Sequence, residues 1–422
     1  MNPTKNPVII HTLSVGIRKH RHMNQQDTSL IKFQAYSREL TNLKSIESLL
    51  SWDQETTMPS GGASTRAGQR ETLASLYHER LISSRYRDLV ELVANRIDDP
   101  WVQADVQETR RLQNKAIKIP PSLIRELAKT TSLAFNAWVE ARLSSDFSIF
   151  YPWLTQIVHL KRQEAKCLQV GKTLYDALLD EYEAGSTESK LNRVFSRLRP
   201  KLTDLLEKLQ SSRKQPSDNF LKGNYSIEKQ KQFGKKILTA MGFDWNCGRL
   251  DHSPHPFCSG LSPRDVRITT RYEKENFGVA IFGMIHEGGH ALYEQGLDNN
   301  RFGLPANTSI SLGIHESQSR LWENVIGRST HFWKYWYPLL QKTFSKHLDS
   351  VSFVHFLRWI NRVKAGLIRV EADEVSYGLH VILRFELERE LLSEKIEANE
   401  ENTQGKEKKK KKKKRKKKFF FF

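Results

Sequence analysis

Between residues 31 and about 395, apolar side chains recur every three or four positions, the period of an α-helix that buries one face. In LIKFQAYSRELTNLKSIESLL (30–50) the stripe is Leu30, Phe33, Tyr36, Leu40, Leu43, Ile46 and Leu49. SLIRELAKTTSLAFNAWVEARLSSDFSIF (122–150) follows a Pro120-Pro121 pair, which ends one helix and starts the next. Segments 152–170 and 186–213 repeat the pattern, and 351–396 reads as one or two long helices with a break near Gly366. With only 22 Gly and 14 Pro in 422 residues, breakers are too few for an all-β chain. The periodicity predicts a mainly α architecture with no internal repeat and no flexible linker before residue 397.

One segment departs from this period. DVRITTRY (265–272) is β-branched and alternating, with Pro263 before it, and is the best strand candidate in the chain. It runs directly into NFGVAIFGMIHEGGHALYEQG (276–296), which is apolar and helical.

HEGGH at 286–290 places His286 and His290 one turn apart on one helix face, where two imidazoles can hold one zinc ion and Glu287 can reach its water. A pair of solvated histidines is the plainer reading of such a pentapeptide. Here Ile281, Phe282, Met284 and Ile285 predict a buried helix, and buried histidines need partners. Gly288 and Gly289 each cost about 1 kcal/mol relative to Ala inside a helix. Something must therefore approach closely there, either a substrate chain or a packed neighbour. A third ligand six residues beyond the second histidine is excluded, because position 296 is Gly. Glu294 lies about 12 Å along the helix from His286, too far to share an ion. The next helix offers HESQSRLWENVIG (315–327), whose Glu316 follows His290 by 26 residues across a loop with Gly296, Asn299, Asn300, Gly303 and Pro305. That loop can reverse the chain and return Glu316 antiparallel to His290. His315 is a transition-state donor or supporting group, or equally an exposed residue at a helix start. Glu323 sits two turns beyond Glu316 on the same side, where packing or support of the ligands are both open.

Charge adds little to this picture. The net charge is +19, but residues 401–422 carry +10 and residues 1–30 carry +3, which leaves a mildly basic +6 on 31–400. That does not point to nucleic acid, and no specific nucleic-acid partner is expected for the body. Three cysteines without metal-finger spacing point to a reducing, cytoplasmic compartment. No run of eighteen apolar residues is present, so no transmembrane segment is expected. Phosphate loops and Ser or Cys nucleophile constellations are also missing from the sequence.

HPF (255–257), DVRIT (265–269), HEGGH (286–290), HESQ (315–318) and IRVEAD (368–373) occur in this order, with WDQETTMPSGG (52–62) and YDALLDEYE (175–183) upstream. Together they resemble the carboxypeptidase Taq family of zinc metallocarboxypeptidases, over residues 31 to about 395. The resemblance implies a large, helical, zincin-like metallopeptidase fold with a small β-sheet lining the active-site cleft. It implies one zinc per chain, for which cobalt could substitute, held by His286, His290 and Glu316, with Glu287 as general base. Peptides with a free C-terminus are the implied substrates and a homodimer the implied assembly. Arg369 is the implied contact for the substrate carboxylate, a role its guanidinium fork suits; a salt bridge to Glu371 or Asp373 is the alternative. His255, Asp265 and Arg267 look like residues of the cleft wall.

Both ends depart from the family. Residues 1–30 read as an extension, disordered or upstream of a true start at Met23, and 31–396 as the metallocarboxypeptidase domain. The family continues past residue 396 with a block of Gly, two variable residues and Gln-Asp-x-His-Trp, and nothing like it stands here. Instead, 397–422 is a low-complexity Lys-rich tail ending in four Phe. Homopolymer A followed by homopolymer T would encode such a run, so the tail reads as a truncated or misassembled gene. A chain so shortened would expose apolar faces of 351–396; an active carboxypeptidase is the first reading, and a catalytically impaired zinc-binding homologue is the alternative. The other reading of the tail is a polybasic segment for anionic lipid or RNA.

Overall fold

The computed structural model describes residues 8–95, 98–221, 223–369 and 372–397, with side chains from residue 28 onward. In chain order the first helices are α1 (Val8–Thr56), α2 (Ala63–Leu81), α3 (Ser84–Ala94), α4 (Pro100–Ala116) and α5 (Pro121–Ser144). Then come α6 (Tyr151–Leu168), α7 (Leu174–Tyr182), α8 (Glu188–Ser211) and α9 (Ile227–Met241). Strands β1 (Gly248–His252), β2 (Cys258–Ser262) and β3 (Asp265–Thr270) form the sheet and lead into α10 (Phe277–Gln295). α11 (Leu312–Arg320) continues into a π-helical turn, Leu321–Ile326. α12 (Thr330–Thr343), α13 (Ser345–Leu348), α14 (Phe353–Ile360) and α15 (Glu374–Leu392) complete the described residues.

The helix starts follow side-chain chemistry. Asp99, Thr173, Thr187, Ser226, Ser329 and Asp373 each accept a hydrogen bond from a first-turn backbone N–H, satisfying a donor the helix itself cannot. Pro121 opens α5 with Pro120 as its extended cap, as the sequence predicts. The break expected near Gly366 is an irregular stretch over 361–368 that leads into a 3-10 turn at Arg369; residues 370 and 371 of IRVEAD lie outside the described residues.

α1–α4 close one core, in which Phe33, Tyr36 and Leu40 meet Tyr86, Val90, Val93, Val102 and Val106. The same stripe turns outward further along α1, where Ile46 is 46% and Leu49 36% exposed. The largest core joins α9, the sheet, α10, α12 and α14 around Trp333, Tyr225, Phe233, Phe277 and Phe356. In the sheet, β3 is central: β1 runs parallel to it with Gly248 opposite Val266, and β2 antiparallel with Cys258 opposite Ile268. β2 and the Ser253–Phe257 loop thus serve as the crossover between the parallel pair. Thr269 holds that loop: its Oγ1 accepts from Phe257 N at 3.0 Å and from Ser253 Oγ at 2.6 Å. The HPF and DVRIT blocks are therefore one structural unit.

The loop between α10 and α11 is pinned by Asp105, which is 1% exposed on α4. Its carboxylate accepts from Arg301 Nη2 at 2.8 Å and from Ala306 N at 2.9 Å. Arg301 also lies 4.6 Å from the Trp101 ring. In the same loop Gly303 takes φ 85°, and a Cβ there would strike Arg38 of α1 at 2.6 Å. Replacing Asp105 with Ala strips a buried partner from Arg301 and a backbone N–H, and should cost about 2–4 kcal/mol. Urea unfolding of Asp105→Ala measures this, and a midpoint equal to wild type would show that the loop docks by apolar contact alone.

Candidate metal centre

α10 is buried by sequence: Phe277, Ala280, Ile281, Met284 and Ile285 face the main core, and Asn276 caps the start through its bond from Gly278 N. The remaining face of its second half carries His286 and His290, with ring centroids 5.0 Å apart. α11 returns alongside, as the turn-rich loop predicts, and Glu316 faces both rings. Glu316 Oε2 lies 3.3 Å from His290 Nε2 and 3.9 Å from His286 Nε2. The three ligand atoms lie within 4.8 Å of one another. A tetrahedral ion with bonds of about 2.0–2.1 Å would separate its ligands by about 3.4 Å, so these residues fit a zinc-sized cation.

The closeness of the two helices depends on Gly289. A Cβ at that position would meet Gln318 O and Ser319 Cα at 2.7 Å, both backbone atoms that cannot swing aside. At Gly288 a Cβ would meet Leu238 Cδ2 at 2.6 Å on α9. The close approach that the two glycines predict is thus a packed helix on each side.

Electrostatics separate the carboxylates. Burial pushes the Glu287 carboxyl up to about 7, with Glu316 and Glu323 adding to the rise against the pull of His286. Burial would raise Glu316 too, but the hydrogen bond from His290 and the charges of His286, His290 and Arg320 hold it at about 2. Two acids within one site are thereby pushed in opposite directions, Glu287 up by burial and Glu316 down by its cationic neighbours.

His315 is not an exposed helix-start residue. Its Nε2 bonds Glu294 Oε1 at 2.8 Å, and its ring stacks on His290 at 4.6 Å. Glu323, which sequence alone leaves between packing and support, bonds His286 Nδ1 at 2.8 Å.

His255 projects from the Ser253–Phe257 loop, with Trp138 edge-on at 6.5 Å. Burial first, then Arg369, Arg142, Arg271 and His286, lower its pKa to about 4, which places it among cations beside the metal-binding face. Arg369 donates from Nη1 to Tyr377 Oη at 3.3 Å, and Tyr377 Oη lies 3.5 Å from Glu316 Oε1. Asp373 caps α15 through Val375 N and Ser376 N, and Glu371 lies outside the described residues. The structure thus brings Arg369 and His255 towards the histidine pair. Asp265 and Arg267 instead pair with each other, at 2.9 Å through both forks, and Arg267 lies 4.5 Å from the Trp52 ring. Sequence reasoning gave no sign of Tyr377 and Arg320, whose placement depends on contacts between separate elements.

A helix-borne histidine pair, an adjacent acid and a carboxylate from the next helix define a metallopeptidase of the zincin type. The comparisons agree. The profile of the carboxypeptidase Taq (M32) metallopeptidases matches residues 32–411. Thermostable carboxypeptidase 1 of Thermus thermophilus is 41% identical over 374 residues, 85% of this chain and 72% of that protein. Carboxypeptidase 1 of Bacillus subtilis is 37% identical over 352 residues, 82% of this chain and 70% of that protein. A crystal structure of the M32 carboxypeptidase from Deinococcus radiodurans R1 aligns with a TM-score of 0.80 at 37% identity, covering 88% of this chain and 75% of that one. The chain belongs to the carboxypeptidase Taq (M32) family of metallopeptidases, and the mostly helical fold with a small sheet is the one expected from its motifs. Among the described residues no helix is long and apolar enough to cross a membrane. Gly289→Ala should force α10 and α11 apart, costing about 1–3 kcal/mol of overpacking. It should also weaken metal retention; full zinc content after dialysis together with an unchanged melting temperature would show that the helices can separate without harm.

Proposed function

We propose that this chain is a zinc-dependent carboxypeptidase that releases C-terminal residues from peptides, with His286, His290 and Glu316 as ligands and Glu287 as general base. The observation that carries this reading is the convergence of three ligand atoms within 4.8 Å, with the buried Glu287 next to one of the histidines. Two imidazoles and a carboxylate form a donor set that suits zinc and accepts cobalt. When bound, the ion supplies Lewis acidity to the scissile carbonyl and to a water molecule.

The chain's own residues supply the rest. Glu287, buried next to His286, accepts a proton from the attacking water and hands it to the leaving amine. Arg369, with His255 beside it, takes the terminal carboxylate of the substrate, and its Nε is buried without a partner among the described residues. His315, held by Glu294, orients His290 by stacking. Asp265 and Arg267, paired on the central strand β3, stiffen the sheet that forms the cleft wall. Residues 31–396 act as the catalytic domain, and a homodimer in the cytoplasm is the assembly and location we infer from the family. The tail residues 398–422 lie outside the described residues, and no observation favours a separate binding role for them.

Glu287→Gln should keep zinc at one ion per chain while lowering kcat by about 10²–10⁴-fold on a blocked dipeptide with a free C-terminus. Chelation of wild type should abolish turnover, and zinc should restore it. Retained hydrolysis in Glu287→Gln, or stoichiometric zinc with no turnover in wild type, would overturn the reading.

A further inference from the structure

We propose that Glu323 is a positioning residue of the metal centre, and that Arg320 couples it to Glu316 so that one helix sets two of the three ligands at once. Nothing in the ligand motifs assigns this role; it rests on the metal reading above.

Glu323 is 14% exposed and meets three groups. Its Oε2 bonds His286 Nδ1 at 2.8 Å and accepts from Arg320 Nη1 at 3.1 Å, and its Oε1 lies 3.5 Å from Arg328 Nη2. With a carboxylate on Nδ1, the His286 proton belongs on that nitrogen, leaving the lone pair of Nε2 turned to Glu316 and His290. The ring is thereby fixed in tautomer and in rotation. His290 differs: its Nδ1 is buried without a hydrogen-bond partner among the described residues, and its ring is held by the His315 stack. Of the two imidazoles, only His286 has a carboxylate on the nitrogen turned away from Glu316.

Arg320 makes the arrangement a unit. Its Nε donates to Glu316 Oε1 at 3.2 Å, its Nη1 to Glu323 Oε2 and also to Asn324 Oδ1 at 3.1 Å, and its plane lies 3.5 Å over the Tyr377 ring. Glu316 therefore offers Oε2 to the histidines while Arg320 occupies Oε1. Arg328 is itself fixed, 4.2 Å over the Phe282 ring and bonded to Ile360 O. The π-helical turn that carries Glu323 closes through Gly327 N and Trp322 O at 2.7 Å. Such turns are a local departure often found at functional sites. A carboxylate that served only to neutralise two arginines would not need its oxygen on the imidazole.

The test is the zinc affinity of Glu323→Gln, read by competition with a chromophoric chelator, with the visible spectrum of the cobalt form as a second readout. Loss of the charge should raise the dissociation constant about 10–100-fold and shift the cobalt bands. A folded variant with wild-type affinity and bands would overturn the inference, and would leave Glu323 as a counter-ion of Arg320 and Arg328. Should Glu323→Gln fail to fold, Glu323→Gln with Arg328→Met removes the surplus cation and is judged by the same two readouts. If wild type itself retains no zinc, it is the metal reading that fails, which separates the two outcomes.

Discussion

The contact between α10 and α11 at Gly289 is the constraint on which the site depends. Three ligand atoms can share one ion only if their helices run nearly backbone to backbone, and a single methyl at position 289 would collide with Gln318 O and Ser319 Cα. Close packing of this kind is unforgiving, because backbone atoms have no rotamer to yield. The glycine loses helix propensity, and the return is a ligand set that neither helix could assemble alone. Everything around the contact serves to keep it: the α9 side chains against Gly288, the Asp105 anchor on the returning loop, and the Ser311 cap that starts α11 in the required place.

How much of this was legible in the sequence follows from the range of each interaction. The helices were legible because their periodicity is local, and the strand at 265–270 because β-branched alternation interrupts that period. The histidine pair was legible because i,i+4 spacing fixes its geometry within one element. Glu316 needed one further step, a loop with enough turn residues to reverse the chain. The profile of five ordered blocks supplied the family because order and spacing together exceed what any one pentapeptide carries.

What remained hidden was set by side chains meeting across elements. Glu323 shares a helix side with Glu316, but nothing local says that its oxygen reaches His286 on another helix. His315 could have faced solvent; only the position of Glu294 on α10 turns it inward. Asp265 and Arg267 alternate on β3 as cleft residues would, yet the described contacts are with each other and with Trp52 of α1. Ile46 and Leu49 follow the apolar stripe of α1 and stand exposed, since the period says which face is apolar and not what covers it. The chain spans 70–72% of the length of the Bacillus and Thermus relatives, so the same period cannot reveal partners contributed by the remainder.

The charges around the site also sort into pairs. Glu323 stands against Arg320 and Arg328, and Glu316 shares Arg320. Two ionised carboxylates thus face two guanidinium groups before any metal is counted, and Glu287 is held near its own midpoint by burial. A divalent cation bound at His286, His290 and Glu316 would therefore bring positive charge that the protein has not already cancelled. That uncompensated charge would act on whatever enters: it would favour an oxygen developing negative charge and the ionised form of Glu287. Neutral imidazoles suit this better than additional carboxylate ligands would, because each anion in contact with the ion dulls its pull on the carbonyl. The arginines thus do two things at once. They hold Glu316 and Glu323 in position, and by neutralising those negative charges locally they would leave the field of a bound cation directed at the substrate.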